Sequence, residues 1–308
     1  MAKAKPFFYG GQAVLEGVMI RGRRAMVIAV RKPDGDIAIK REPLAPWATG
    51  RLRDIPLIRG VIALAETLTL GTKALFYSAS AALGEEAELK GGAIWPMLVL
   101  ALALVVGLFF VLPLFIIGQF DKYIVSDVTS NLVEGGIRLA IFLIYLTGIS
   151  LVPDIRRVFA YHGAEHKTVN AFEAGEPLEV KAVQKYSTAH LRCGTAFLLI
   201  VLVIALLAFA FLGRPPLWIR MLSRVALLPV IAAVSYEVLR LSARLGHGQV
   251  MRWVMGPGLL LQRMTTRQPD DSQVEVAIRA MNGALEADRE TEAVNTVASP
   301  APSGAAAP

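Results

Sequence analysis

The run GGAIWPMLVLALALVVGLFFVLPLFIIGQF, residues 91–120, contains no charged residue. A helix crosses the hydrocarbon core of a bilayer with about 20 mostly apolar residues. The run is therefore long enough to span a membrane, and it predicts a transmembrane helix near residues 94–118. A second uncharged run, residues 193–213, predicts another span near residues 195–213.

The composition of the chain agrees with a membrane protein. Hydrophobic residues make up 55% of the 308 residues and charged residues 19%, and the mean hydropathy is +0.52. Soluble domains carry about 25% charged residues. The apolar content excludes a disordered chain, and the single cysteine excludes a disulfide-rich module. The net charge of +7 fits contact with an anionic membrane surface, so we expect membrane lipids rather than nucleic acid as partners.

Two further segments are apolar but interrupted by charged residues. Arg138 lies in residues 137–152, and its long side chain can reach a membrane interface. Residues 217–241 contain four charged residues around an uncharged centre. A buried or re-entrant helix is the alternative for each segment. With both included, the sequence predicts about four spans in a predominantly α-helical, polytopic membrane bundle.

The N-terminal residues 1–56 differ in character from the apolar segments. Two runs rich in β-forming residues, Ala25–Arg31 and Ile37–Arg41, flank the turn signal PDGD. This pattern predicts a β-hairpin. An earlier run of similar composition, Gln12–Arg21, lies between glycines. We therefore expect a small cytoplasmic β region that packs on the membrane domain.

The rest of the chain divides into a membrane domain and a C-terminal part. We assign residues 57–264 to the membrane domain, which begins with an interfacial or core-packed helix over Leu57–Leu83. Apolar residues recur at helical spacing in residues 265–290 and predict a C-terminal cytoplasmic helix. Ala, Pro, Ser and Gly dominate residues 291–308, which predicts a disordered tail.

The distribution of basic residues predicts the orientation of the spans. Lys and Arg outnumber acidic residues in residues 1–59 and are frequent in the loop 154–192, whereas acidic residues dominate residues 121–134. Short loops rich in Lys and Arg stay in the cytoplasm. The pattern therefore predicts that both termini and the loop 154–192 are cytoplasmic.

The string YHGAEHK, residues 161–167, is the most specific chemical signal in the chain. On a helix, His162 and His166 lie about 40° apart around the axis, so one cation can contact both rings. Glu165 lies in the same turn and can accept a proton from a metal-activated water without being a ligand. The pattern His-x-x-Glu-His occurs in inverted zinc peptidases. It predicts a zinc site with two histidine ligands and Glu165 as general base; polar packing is the alternative.

A catalytic zinc site needs a third protein ligand. The sequence offers three candidates, which in order of preference are Glu237, His190 and Cys193. Glu173 follows His166 by seven residues, about 10 Å along a helix axis, and we expect it outside the ligand shell. Two cations are candidates to stabilise a developing oxyanion, namely Lys167 and Arg192.

Five blocks of sequence resemble a known family. They are GGQAVLEGVMIRG at residues 10–22, YHGAEHKT at 161–168, HLRCGT at 190–195, SYE at 235–237 and TRQPDDSQVEV at 266–276. Together they resemble the YqhQ family of bacterial integral membrane proteins, a family of unknown function whose members are described as metal-dependent enzymes. The resemblance implies a multi-pass protein of the bacterial cytoplasmic membrane, and it does not supply a reaction.

The first of these blocks contains three further candidate site residues, Gln12, Glu16 and Arg21. In an alternating strand, Gln12 and Glu16 share a face. They are therefore candidates to cover the helix-borne histidines from the N-terminal sheet. The alternative is a glycine-bounded strand that packs on the membrane domain.

These patterns together predict a metal-dependent hydrolase with its site at the cytoplasmic face of the membrane. A peptidase-like enzyme is one form that such a hydrolase can take. The cofactor is a divalent metal, with zinc preferred, and the substrate is membrane-proximal. The alternative is a non-catalytic scaffold, or an ion or proton relay that uses the same polar cluster.

Overall fold

The structure, a computed structural model, describes residues 7–84, 91–190, 192–245 and 249–298. Its strands are β1 (Gly10–Val14), β2 (Gly17–Arg21), β3 (Ala25–Arg31) and β4 (Ile37–Pro43). Its helices are α1 (Pro46–Thr49), α2 (Ile58–Leu83), α3 (Gly91–Val106), α4 (Leu112–Phe120), α5 (Asp127–Ile149), α6 (Pro153–Glu173), α7 (Val180–Val183), α8 (Gly194–Ala210), α9 (Leu217–Leu245), α10 (Gln249–Thr265) and α11 (Asp271–Ala298).

The strands form one antiparallel sheet in the order β1-β2-β3-β4. β3 and β4 form the predicted hairpin, in which Ala25 lies opposite Pro43 and Arg31 lies opposite Ile37. Gly35 in the connecting turn has φ +91°, a conformation that favours glycine because it has no Cβ. The prediction of a small N-terminal β region is confirmed.

The run Gln12–Arg21 is a hairpin rather than one strand. β1 and β2 pair through a tight turn at Leu15 and Glu16, and Glu16 has φ 52°. Leu-Glu is not a turn-forming pair, so the sequence carries no local signal for this turn. Instead, the Glu16 carboxylate is held from outside the hairpin, by the Arg157 guanidinium and by the Tyr161 hydroxyl at 3.2 Å.

The sheet lies between two layers of helices. One face packs on α6 and α11 and contributes Val18, Ile20, Val27 and Ala29 to that core. The other face packs on α2 and contributes Val14, Met19, Met26, Ile28 and Val30. Side chains alternate between the faces along each strand. We call β1–β4 with α2, α6 and α11 the sheet module; it combines segments from three distant parts of the chain.

Within the part of the chain that the structure describes, three helical stretches are long and apolar enough to cross a membrane, namely Leu98–Tyr123, Asp127–Ile149 and Leu217–Leu241. The first continues from α3 into α4 through a π-helical turn, Gly107–Val111. The apolar α8, with 17 residues, is shorter than these three. The prediction of a predominantly helical fold with several membrane-type helices is therefore confirmed, while the number of about four spans stays a prediction.

The second long stretch, α5, begins earlier than the predicted span at residues 137–152. Ser126 caps its N-terminus by accepting a hydrogen bond from the Thr129 amide at 3.3 Å. The helix therefore includes Glu134 and Arg138, whose charges pair at 2.6 Å. Residues 127–134 of the predicted polar loop 121–134 are therefore part of the helix.

The observed bounds of α2 and α11 differ from the predicted ones. α2 covers most of the predicted helix Leu57–Leu83, and its three polar side chains at seven-residue spacing, Arg59, Glu66 and Lys73, each form an ion pair. α11 begins at Asp271 because Asp270 caps it, accepting a bond from the Gln273 amide at 2.9 Å. It continues to Ala298, beyond residue 290, while residues 299–308 lie outside the described residues.

Gly163 allows α6 to pack closely on the segment between α10 and α11. A Cβ at this position would overlap the backbone carbonyl of Arg267. The same contact includes a hydrogen bond from the Arg267 amide to the Phe159 carbonyl at 2.9 Å. The glycine is thus required by packing, although it lowers the intrinsic helix propensity of the motif.

We predict that Gly163→Ala lowers the stability of the protein by about 1–3 kcal/mol, because the added methyl overpacks a rigid backbone contact. Gly136→Ala in α5 is the control, because its Cβ meets nothing within 4 Å. The control should be neutral or more stable, as alanine favours helix by about 0.5–1 kcal/mol. Thermal unfolding in detergent measures both, and equal melting temperatures would contradict the packing assignment.

Candidate metal centre

The two histidines of the YHGAEHK string point toward the start of α8. One ligand atom from each of His162, His166 and Cys193 lies within 4.8 Å of the other two. His162 Nε2 is 3.2 Å from Cys193 Sγ, and the two imidazole rings are 4.4 Å apart between centroids. Among the residues that the structure describes, this is the one such group of three His, Cys, Asp or Glu side chains.

Backbone carbonyls hold both histidine rings in the orientation that metal ligands adopt. His162 Nδ1 donates to the Thr265 carbonyl at 2.8 Å, and His166 Nδ1 donates to the Thr188 carbonyl at 2.6 Å. A carbonyl can only accept, so the proton lies on Nδ1 in each ring and Nε2 has a free lone pair. Metal-bound histidines commonly use their second nitrogen in this way.

Cys193 lies at the N-cap of α8, where its backbone precedes the first helical turn. Its Sγ accepts a hydrogen bond from the Thr195 amide at 3.3 Å. Cys193 is only 5% exposed, so the sulfur faces the histidines rather than solvent.

The loop that precedes Cys193 is fixed by side chains of α6. Lys167 donates to the carbonyls of Gln184 and Tyr186 at 2.7 and 2.8 Å. Asn170 donates to the carbonyls of Ser187 and Ala189 at 2.9 and 3.0 Å. Burial lowers the pKa of Lys167. Lys167, a predicted oxyanion stabiliser, is therefore directed at the loop backbone and not at the histidine–cysteine group.

His190 lies beside the three donors. Its ring centroid is 5.6 Å from that of His166, and its Nε2 faces the Glu173 carboxylate at 3.6 Å. Gln262 of α10 holds its backbone with two hydrogen bonds, at 3.0 and 2.8 Å. Burial alone would raise the pKa of Glu173, but the bond with His190 and the charge of Arg192 lower it below its ordinary value. Arg192 forms an ion pair with Glu173.

Glu165 does not face the three donors. Its carboxylate accepts a hydrogen bond from the Gly11 amide of β1 at 3.0 Å, and the residue is 5% exposed. On a helix, residue 165 lies about 100° from residue 166 around the axis. α6 directs its histidines toward α8 and α10, so that rotation turns Glu165 toward the sheet.

Glu237, the preferred third ligand from sequence, lies elsewhere. Its carboxylate accepts hydrogen bonds from the Arg59 guanidinium and, at 3.1 Å, from the Leu57 amide. An acidic group near the end of an apolar helix requires a partner, and here α2 supplies one. The structure therefore corrects the order of the candidates: Cys193 completes the group of three, and Glu237 is not part of it.

The candidate residues of the first block join the sheet to the helices. Gln12 packs on Gly71 of α2, where a Cβ would overlap its amide. Arg21 pairs with Glu66 of α2 at 2.9 Å. Glu16 pairs with Arg157 of α6. None of the three lies in the histidine–cysteine group, so these contacts agree with the packing interpretation of the block.

Some residues that shape the centre have no signal in the sequence. The Thr188 and Thr265 carbonyls orient the two histidines, but a backbone oxygen has the same chemistry at every position. Gln262 lies on α10, and only the fold brings it to His190. Its position just before the block TRQPDDSQVEV is the one feature of the sequence that indicates a role.

The fold and the site define a mostly helical protein of membrane type, with a buried histidine–cysteine group where its sheet module meets its apolar helices. The chain belongs to the family described as protein of unknown function DUF1385, whose model matches residues 55–287. It is 36% identical over 303 residues to the uncharacterized protein YqhQ of Bacillus subtilis (strain 168), a match that covers 92% of this chain and 95% of that relative. The resemblance to the YqhQ family is thereby confirmed. No solved structure matches the chain.

We predict that the purified protein binds about one zinc ion per chain through the three donors. Cys193→Ser should weaken zinc binding by more than the roughly 10–100-fold that outer-shell changes cause. Glu237→Gln is the matched control, because it removes the carboxylate that the sequence analysis preferred as the third metal ligand. Competition with a zinc-binding dye measures both affinities. Loss of zinc in Glu237→Gln with retention in Cys193→Ser would contradict the assignment.

Proposed function

We propose that the chain is a metal-dependent hydrolase of the bacterial cytoplasmic membrane, with zinc held by His162, His166 and Cys193. One observation carries the proposal: three donors meet within 4.8 Å, and both histidines are tied through Nδ1 to carbonyls. Two imidazoles and one thiolate form a donor set that suits zinc. Three protein donors leave the fourth tetrahedral position for water or substrate.

A zinc ion with an open position acts as a Lewis acid and makes water nucleophilic near neutral pH. The chain supplies the groups that surround this chemistry. His190 is the candidate proton acceptor, because its ring lies beside that of His166 and Glu173 orients it. Arg192 is the candidate anion stabiliser. Glu165, the general base predicted from the sequence, can act as a base only after its hydrogen bond with the Gly11 amide is broken.

The arrangement of the fold supports four membrane crossings and not three. α11 packs on the N-terminal sheet, so the sheet and α11 lie on one side of a membrane. An even number of crossings must therefore separate them. The continuous α3–α4 stretch and α5 provide two crossings before α6, and α8 with α9 provides two more before α10. On this basis α8 crosses as well, although it is short.

This topology places the histidine–cysteine group and the sheet module together on one side. Cys193 begins α8 at that side, and Asn131 meets the Gly213 carbonyl at the opposite end, at 3.0 Å. The basic residues of the sheet module favour the cytoplasm. The substrate is therefore a cytoplasmic segment or group near the membrane surface.

A second candidate is a purely structural metal centre, as in a non-catalytic scaffold. The deep burial of the donors favours it, because His166 is 1% and Cys193 5% exposed. A structural ion would join α6, α8 and α10. Its removal would then lower the melting temperature without affecting any turnover, since a ligand that binds only the folded state stabilises that state.

We predict zinc-dependent hydrolysis of p-nitrophenyl acetate, a small activated ester that tests the nucleophilic water. A chelator should abolish turnover and added zinc should restore it. His166→Ala should lower the rate by about 100-fold or more, since ligand loss exceeds the effect of outer-shell changes. His190→Gln should keep the metal and lose most of the rate. Turnover that persists in His166→Ala would contradict the hydrolase, and a metal that only raises the melting temperature would favour the scaffold.

We also predict the sidedness of the chain. Val125 is 97% exposed in the turn before α5, and Asp34 is exposed in the hairpin turn of the sheet module. A membrane-impermeant maleimide should label Val125→Cys in intact cells and Asp34→Cys only after lysis. The parent chain is the blank, since its Cys193 is buried. Labelling of both positions from outside would contradict the four-span topology.

A further inference from the structure

A cluster of arginines is buried between α5 and α9, at the opposite end of α8 from the histidine–cysteine group. Arg138, Arg220 and Arg224 all contact the Glu134 carboxylate, at 2.6, 3.0 and 2.5 Å. Their side chains are at most 7% exposed, and Glu134 is 1% exposed. We call these four residues the arginine cluster.

The charges of the arginine cluster do not balance. Glu134 accepts from all three guanidinium groups, and the one other carboxylate that reaches them is Asp121, 3.1 Å from Arg220, within the described residues. Three positive charges therefore face two negative charges. A charge inside an apolar bundle is costly unless it is paired. The cluster lacks one negative charge.

The hydrogen bonds of the cluster are also incomplete. Arg220 Nε is buried and has no acceptor among the residues that the structure describes. Arg138 uses its Nε to reach the Phe109 carbonyl at 2.9 Å, in the π-helical turn of the first span. A guanidinium has five donors. The Asn131 amide oxygen accepts from Arg220 and Arg224 at 3.4 and 3.3 Å, and the Arg220 carbonyl accepts from Arg224 at 3.1 Å. With these acceptors included, the Nε donor of Arg220 is still without a partner among the described residues.

One end of the cluster lies close to solvent. Asp121 and Arg214 lie at the end of the bundle and are 25% and 22% exposed at their side chains. Asp121 contacts Arg220, which contacts Glu134. The cluster is therefore connected by ion pairs to partly exposed side chains.

We propose that the arginine cluster binds a phosphate group. A phosphate supplies the missing negative charge and several acceptor oxygens, and its geometry matches the forked donors of arginine. Chloride supplies the charge but not the directed acceptors. The cluster borders the membrane, so the phosphate belongs either to a phospholipid headgroup or to free inorganic phosphate.

Two binding measurements on the purified full-length protein test the proposal. In the first, the protein is stripped of lipid and mixed with phosphatidylglycerol in detergent, and native mass spectrometry counts the lipids retained; a phosphate-free glycolipid is the blank. In the second, inorganic phosphate is added at constant ionic strength, with chloride as the blank, and the shift in melting temperature is recorded.

We expect the wild type to bind phosphate in at least one measurement, and the arm that responds identifies its source. Arg220→Gln should weaken binding about tenfold or more, as for the loss of a charge-assisted hydrogen bond. Arg138→Gln is a second variant should the first not fold. Arg41→Gln, on the exposed surface of the sheet module, is the control and should bind as the wild type does.

Two results overturn the proposal. The first is a folded wild-type protein that binds neither phospholipid nor inorganic phosphate; this result needs no variant. The second is a folded Arg220→Gln or Arg138→Gln variant that binds phosphate as tightly as the wild type does. The phosphate would then lie outside the arginine cluster.

Discussion

The packing of the C-terminal helix α11 on the N-terminal sheet constrains the rest of the chain. β2 and β3 are apolar on both faces, so the sheet needs helices on both sides. α2 covers one face, while α6 and α11, which are separated along the chain by α7 to α10, cover the other. This contact holds α11 beside the N-terminal strands. It also fixes where α6 presents its histidines.

The centre depends on that placement of α6. Its sheet-facing side carries Glu165, which the Gly11 amide holds, and its other side carries His162 and His166. Gly163 lets the helix approach the segment before α11, and that approach brings the Thr265 carbonyl to His162. The start of α8 then supplies Cys193. One helix thus joins the sheet module to the histidine–cysteine group.

Local signals in the sequence predicted much of this structure. The signals for the helices in the uncharged runs, for the hairpin at PDGD and for the proximity of His162 and His166 lie in short segments of the chain. The structure contains these helices, this hairpin and this proximity. Contacts between distant segments were not predictable in this way. The sequence preferred Glu237 over Cys193 as third ligand, whereas the structure pairs Glu237 with Arg59 and brings Cys193 to the two histidines. Likewise, no local sequence pattern indicates that Glu134 forms ion pairs with three arginines from two helices.

The central claim is that two imidazole nitrogens and one sulfur bind a single metal ion. X-ray absorption spectroscopy at the zinc edge, on the purified zinc-loaded protein, tests it most directly. The account predicts one Zn–S distance of about 2.3 Å and two Zn–N distances of about 2.0–2.1 Å, with a light-atom fourth ligand. A spectrum that contains no sulfur neighbour, or that contains more than one, would contradict it.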